Sequence, residues 1–218
     1  MSGPGGRPIV PGTKRCPKVI LEGTRMTHKT DLAFALNEHP RMMGPRKYRY
    51  HGPLVSAEWS TFTAEPWGHG LIDYEPEQEA LAMETYRTWL HLMQLQRHYS
   101  WVVDRFHVST IHYQETHGRT VDLDWLDAGL AELGFRLLLC TRRPGTFAAA
   151  REERLKVSGM PSQYDDVDRF AREQERFREL CASSWMPVLE LDITDGDLDA
   201  ACVQTAEWLE TTDAMWCR

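Results

Sequence analysis

Residues 18–30 read KVILEGTRMTHKT, an apolar run that breaks at a glycine into a polar stretch closing on Lys-Thr. A short apolar run bounded by turn residues is the pattern of a strand buried on both faces. The eight residues from Gly23 to Thr30 fit GxxxxGK[ST] everywhere except at His28, which stands where the second glycine belongs. That pattern has a mechanism. Successive backbone N–H groups curl around phosphate oxygens, and the following helix N-terminus adds partial positive charge. Here Gly23, Thr24, Arg25, Met26, Thr27 and His28 would form the cradle, Lys29 would reach the β and γ phosphates, and the Thr30 hydroxyl would ligate Mg²⁺. Leu32, Ala35 and Leu36 continue as one face of a helix, so a strand–loop–helix unit that takes a nucleoside triphosphate and Mg²⁺ is expected. A glycine at position 28 would permit positive φ, and histidine tolerates that geometry better than branched residues do. Its imidazole either adds a donor near the phosphates or points outward; the sequence leaves both open.

The remaining chain alternates strand and helix signals, as a parallel α/β sheet does. Strands are expected at 19–21, 101–103, 135–140 and 188–191, each read as buried on both faces, with one more between 41 and 62. Helical stripes run through Ala80, Met83, Tyr86, Leu90 and Met93, and through Leu126, Leu130 and Leu133 behind an Asp122 cap. Val167, Phe170, Gln174, Phe177 and Cys181 form a third stripe, and Leu198, Ala201, Thr205 and Trp208 a fourth. Residues 1–17, rich in Gly and Pro, read as a flexible tail, and 18–218 as a single domain. The 218 residues are 42% hydrophobic and 26% charged, the composition of a globular chain, with no apolar run long enough to span a bilayer. Five scattered cysteines without a CxxC motif argue for a reducing, cytoplasmic setting and against a disulfide framework or zinc site. A net charge of −7 disfavours a nucleic-acid polymer as partner. The arginines concentrate in 142–178, which suits a small anionic ligand better.

Residues 102–114, VVDRFHVSTIHYQ, carry an Asp-Arg pair at the end of a strand and Ser and Tyr at helical spacing beyond it. In an open α/β sheet, ligands bind outside the carboxyl ends of strands, so Asp104 and Arg105 are expected beside the phosphate loop. LEG before the loop, DRFxxSxxxYQ here, and the arginine-bearing PGTFAAAREERL resemble the thymidylate kinase and deoxynucleoside kinase group of P-loop kinases. The resemblance implies a three-layer α/β/α P-loop kinase fold with a mostly parallel, about five-stranded sheet. It further implies Mg-ATP-dependent phosphoryl transfer to a nucleoside, nucleotide or nucleoside-like acceptor. By the same resemblance, Asp104 lies near the metal or acceptor oxygen, and Arg105 clamps acceptor oxygens. Ser109, Thr110 and Tyr113 line the acceptor pocket, and Arg151 and Arg154 belong to a lid around 142–165.

The acceptor side departs from that group. In place of an REPGG-like turn stands Ala64-Glu65-Pro66-Trp67-Gly68, and Glu58-Trp59 matches the acidic base of deoxynucleoside kinases equally well. Glu58 and Glu65 are both candidates for a general base, with Glu65 also a candidate for substrate binding. Thr110 stands where thymidylate kinases commonly carry Asn. The basic, aromatic run at 46–51 reads as a surface strand, with anion binding as the other possibility. His107, His112 and His117 step by five and share no helix face, so they do not read as a metal cluster. A non-catalytic nucleotide-binding protein is the alternative function, and a homodimer is left open. No NKxD or suitably placed DxxG supports a switch GTPase.

Overall fold

The computed structural model describes residues 14–44, 54–65 and 68–217. The run at 46–51, the Pro66-Trp67 pair and tail residues 1–13 lie outside them. Five strands make one sheet: β1 (Lys18–Glu22), β2 (Leu54–Ser56), β3 (Trp101–Asp104), β4 (Arg136–Thr141) and β5 (Val188–Asp192). Their order is β2-β3-β1-β4-β5, and every pairing is parallel. Eight α-helices accompany them: α1 (Lys29–Glu38), α2 (Pro40–Met43), α3 (Glu79–Leu95), α4 (His107–Thr116), α5 (Asp124–Glu132), α6 (Phe147–Leu155), α7 (Val167–Ala182) and α8 (Leu198–Thr211).

The two-residue period of a strand explains the layers. Ile20, Val103, Leu137 and Leu139 point into a cluster with residues of α3, α4, α5 and α7. Val19, Leu21, Val102, Leu138 and Cys140 point the other way, onto α1, α2 and α8. The central strands are thereby buried on both faces, as their unbroken apolar runs require. At the sheet edge the expectation fails for 188–191. Only Leu191 of β5 is buried, and Glu190 is exposed, β5 being the edge strand of the sheet among the described residues.

Three further differences have local causes. The tail ends earlier than expected: Cys16 N donates to Met215 O and Trp101 N to Pro17 O, so the chain is tied to the body from residue 14. Along α3 the buried stripe is Ala82, Tyr86 and Met93, with Ala80 exposed, because the helix begins only after a 3₁₀ turn at Pro76–Gln78. Asp122 closes a turn on Asp124 N and is not the cap itself. Asp166 and Asp197 do cap α7 and α8, accepting from Arg169 N and Ala200 N.

Phe177, 1% exposed, packs from α7 onto the His112 ring with centroids 4.8 Å apart. Phe177→Ala is expected to lower the unfolding free energy by about 3–5 kcal/mol. Leu95→Ala, on the exposed end of α3, should change it by less than about 0.5 kcal/mol. Urea titration of both variants reads the contrast.

Candidate active site

Strand register assembles the site. Leu21 of β1 and Ser56 of β2 both lie level with Asp104 of β3. Glu22 ends β1 and Gly23 follows it, and Glu58 lies two residues beyond Ser56. Three segments therefore converge at the carboxyl ends of three adjacent strands, where open α/β sheets bind ligands.

Gly23 has φ 138°, and a Cβ there would sit 2.3 Å from the Cys140 carbonyl oxygen of β4. The turn out of β1 therefore requires glycine. His28 caps α1 at φ 50°, ψ 20°, in the left-handed geometry that a glycine would ordinarily supply. Its ring turns away from Lys29: Nδ1 lies 3.2 Å from Asp31 of α1, and Nε2 approaches Gly196 after β5. Met26 is left-handed as well, at φ 64°, and no glycine or asparagine marks that position in the sequence.

Asp104 is 2% exposed. Its Oδ2 accepts a hydrogen bond of 2.8 Å from the Thr30 hydroxyl, and its Oδ1 faces the buried Lys29 ammonium at 3.3 Å. Among the described residues Oδ1 accepts no hydrogen bond. A buried carboxylate oxygen and a hydroxyl at the start of a helix form a hard oxygen donor set, which fits Mg²⁺.

Arg105 does not pair with its neighbour Asp104. At φ 59° the chain turns it outward, where Nε donates to Glu58 Oε2 at 3.0 Å and a terminal nitrogen to Ser109 Oγ at 3.2 Å. Arg25 of the phosphate loop lies 3.8 Å from the other Glu58 oxygen. Arg105, with Lys29 and Arg25, holds the Glu58 carboxyl at about 2 against the opposing effect of burial. Glu65 sits exposed in a turn, and among the described residues no contact joins it to this cluster.

The other expected residues divide. Ser109 and Thr110 expose almost no surface. Ser109 donates to Glu22 Oε2 at 2.5 Å, and Thr110 bonds the hydroxyl of Tyr86 and the carbonyl of Leu71. Both hydroxyls are engaged within the protein, that of Ser109 by Glu22 and Arg105 and that of Thr110 by Tyr86 and Leu71. Tyr113 is half-buried and stacks on His117 at 4.4 Å. Arg151 and Arg154 both bind Tyr164: Arg151 Nε donates to its carbonyl at 2.6 Å, and Arg154 Nε to its hydroxyl at 3.0 Å. Among the described residues neither contacts Lys29, Asp104 or Glu58.

Several residues escaped sequence reasoning. Glu22 is fully buried and accepts from Phe106 N at 2.9 Å and Ser109 N at 3.3 Å, fixing the start of α4. Arg142 donates to Met26 O at 2.6 Å and Thr194 O at 3.2 Å, bracing the phosphate loop from behind. Glu173 of α7 accepts from the Thr24 hydroxyl at 2.5 Å and from Arg169 at 2.6 Å. A glutamate in an otherwise apolar strand end was the available signal for Glu22. Arg142 and Glu173 gave none, because their partners lie 116 and 149 residues away.

No protein-family model matches the chain, and no curated protein does. Solved structures do. The YorR protein of Bacillus subtilis, determined in complex with phosphorylated GDP, matches with a TM-score of 0.59 at 14% identity, over 89% of this chain and 96% of its own. Thymidylate kinase from Candida albicans matches with a TM-score of 0.50 at 16% identity, over 94% and 96%. The fold is that of the P-loop kinases. At these identities the likeness concerns architecture, so the chemistry rests on this chain's own residues.

The Glu173 carboxyl is held at about 2; burial raises it, but the nearby His112 ring, the hydrogen bond from Thr24 and the charge and hydrogen bond of Arg169 outweigh that. A depressed carboxylate contributes stability that is complete above its unfolded value of 4.5 and is lost as pH falls toward about 2. Glu173→Gln should therefore flatten the acid limb of the stability profile between those values. Thermal melts from pH 7 downward read this, and parallel wild-type and variant limbs would refute it.

Proposed function

We propose that the protein is an ATP- and Mg²⁺-dependent phosphotransferase acting on a nucleoside, nucleotide or nucleoside-like small molecule. The observation that carries the reading is the buried Asp104, which engages Lys29 and Thr30 of the phosphate loop beside the Glu58–Arg105 pair. Triphosphate site and acceptor site are one residue apart.

In this reading Gly23 to Thr30 wrap the triphosphate with backbone N–H groups, and Thr30 and Asp104 would hold Mg²⁺. Bound there, the metal neutralises charge on the β and γ phosphate oxygens. Lys29, released from Asp104, balances charge on the transferring group. Glu58 orients the acceptor hydroxyl and takes its proton. A carboxylate held at about 2 is a weak base. The loose transition state of phosphoryl transfer makes that sufficient, since the hydroxyl proton departs late. Arg105 supports the acceptor oxygen and keeps Glu58 ionised. Arg151 and Arg154 close over the transferring phosphoryl after leaving Tyr164.

Charge favours a neutral hydroxyl over a phosphate as acceptor. Arg105 is already satisfied by Glu58 and Ser109, Arg25 leans on the same glutamate, and Arg151 and Arg154 are engaged at Tyr164. Among the described residues each of these arginines already has a partner, so an incoming phosphate would meet the exposed side of Glu58 first.

A panel of nucleosides, nucleoside monophosphates and other hydroxylated metabolites, scored for ADP release, tests the reading. On the acceptor found, Lys29→Ala and Asp104→Asn are each expected to lower kcat/KM by at least about 10²-fold. Glu58→Gln should lower kcat by about 10²–10⁴-fold. Wild-type turnover in Lys29→Ala and Asp104→Asn would sink the assignment.

His28→Gly separates catalysis from simple nucleotide binding. Relief of a left-handed non-glycine residue should leave transfer intact or improve it. ATP binding by titration calorimetry, with no turnover of any acceptor in either protein, would favour the non-catalytic alternative.

A further inference from the structure

Far from the phosphate loop, residues 14–17 and 214–217 form a small antiparallel ladder. Arg15 stands opposite Trp216, with Cys16 N donating to Met215 O at 2.8 Å and Cys217 N to Lys14 O at 2.9 Å. Side chains alternate across such a ladder. Arg15 stacks over the Trp216 ring at 5.1 Å on one face, and Cys16 and Cys217 share the other. Both sulfurs converge on one three-residue turn. Cys16 Sγ lies 3.2 Å from the Tyr99 carbonyl and 3.8 Å from that of Arg97, and Cys217 Sγ lies 3.8 Å from that of His98.

We propose that Cys16 and Cys217 form a reversible disulfide that clasps the segments at the two ends of the domain when a small-molecule disulfide oxidant is present. The two residues are diagonal neighbours. In a regular ladder such Cα atoms are about 7–8 Å apart, with Cβ atoms closer, and a disulfide spans up to about 6.8 Å. A closing shift of about 1 Å in a short ladder bridges the difference. The other three cysteines, Cys140, Cys181 and Cys202, are buried in β4, α7 and α8 respectively.

Exposure orders the steps. Cys217 is half-exposed and Cys16 buried. Burial, with the neighbouring Cys217 thiol, pushes the Cys16 thiol up to about 12. The Cys217 thiolate attacks a sulfur of oxidised glutathione, forming a mixed disulfide and releasing one glutathione thiolate. Cys16 then gives its proton to solvent and attacks the Cys217 sulfur, expelling the second glutathione. Two protein thiols and one glutathione disulfide become one protein disulfide and two glutathione thiols.

The clasp lies at the amino ends of β1 and β3, across the sheet from the phosphate loop, so it acts on stability. Full-length protein incubated with oxidised glutathione and digested without reduction should yield a peptide pair joined through Cys16 and Cys217. Its melting temperature should rise by about 5–10 °C, and dithiothreitol should reverse the rise. Cys217→Ser, a change at a half-exposed position, should melt at the temperature of reduced wild type and show no rise on oxidation. Cys16→Ser should accumulate glutathione on Cys217. The proposal is overturned if oxidised wild type retains glutathione on Cys217, pairs it with another cysteine, or keeps both thiols free.

Discussion

A Cβ on Gly23 would stand 2.3 Å from the Cys140 carbonyl oxygen, so β1 can leave the sheet at this point only by a residue without a side chain. The rest of the site inherits that close approach. Because β1 and β4 stay in contact to the last residue, Arg142, just past the end of β4, can reach Met26 and Thr194 and brace the loop from behind. Because β1 and β3 stay in register to Asp104, the chain can set that carboxylate against Lys29 and Thr30. Glu22 completes the junction by accepting the first amides of α4, so strand, loop and acceptor-side helix share one rigid corner.

Charge inside this corner is arranged as neighbouring pairs. Burying a lysine or an aspartate alone would cost several kcal/mol; each is kept in the crevice by the other. Glu58 and Arg105 repeat the arrangement one step outward, nearer solvent. Each charge thus has an opposite charge beside it, within one corner of the sheet.

Legibility in the sequence followed range of interaction. The central strands were readable because burial on both faces leaves an unbroken apolar run, and α7 because its stripe from Phe170 to Cys181 is local. The three residues of β2 carry too little periodicity to be placed, and β5 reads as a core strand although it lies at an edge. Edges are a property of topology, not of local composition. The phosphate loop was legible because one contiguous segment builds it, including a histidine in the left-handed position. The division between Glu58 and Glu65 was not, since it depends on where β2 pairs with β3. The placing of Ser109 and Thr110 on one helix was legible in their spacing. Their burial depends on Tyr86 and Leu71, whose approach no spacing along α4 could reveal.

Tyr164 anchors both arginines of α6 at once, one through its carbonyl and one through its hydroxyl, while its ring lies in a cluster with Phe147 and Phe170 against which Met26 packs. Two cations with a common anchor do not depart independently. Tyr164 is the partner they share, while Arg151 also faces Glu152 and Asp165, so a shift of that one residue acts on both arginines and, through the aromatic cluster, on Met26 of the phosphate loop.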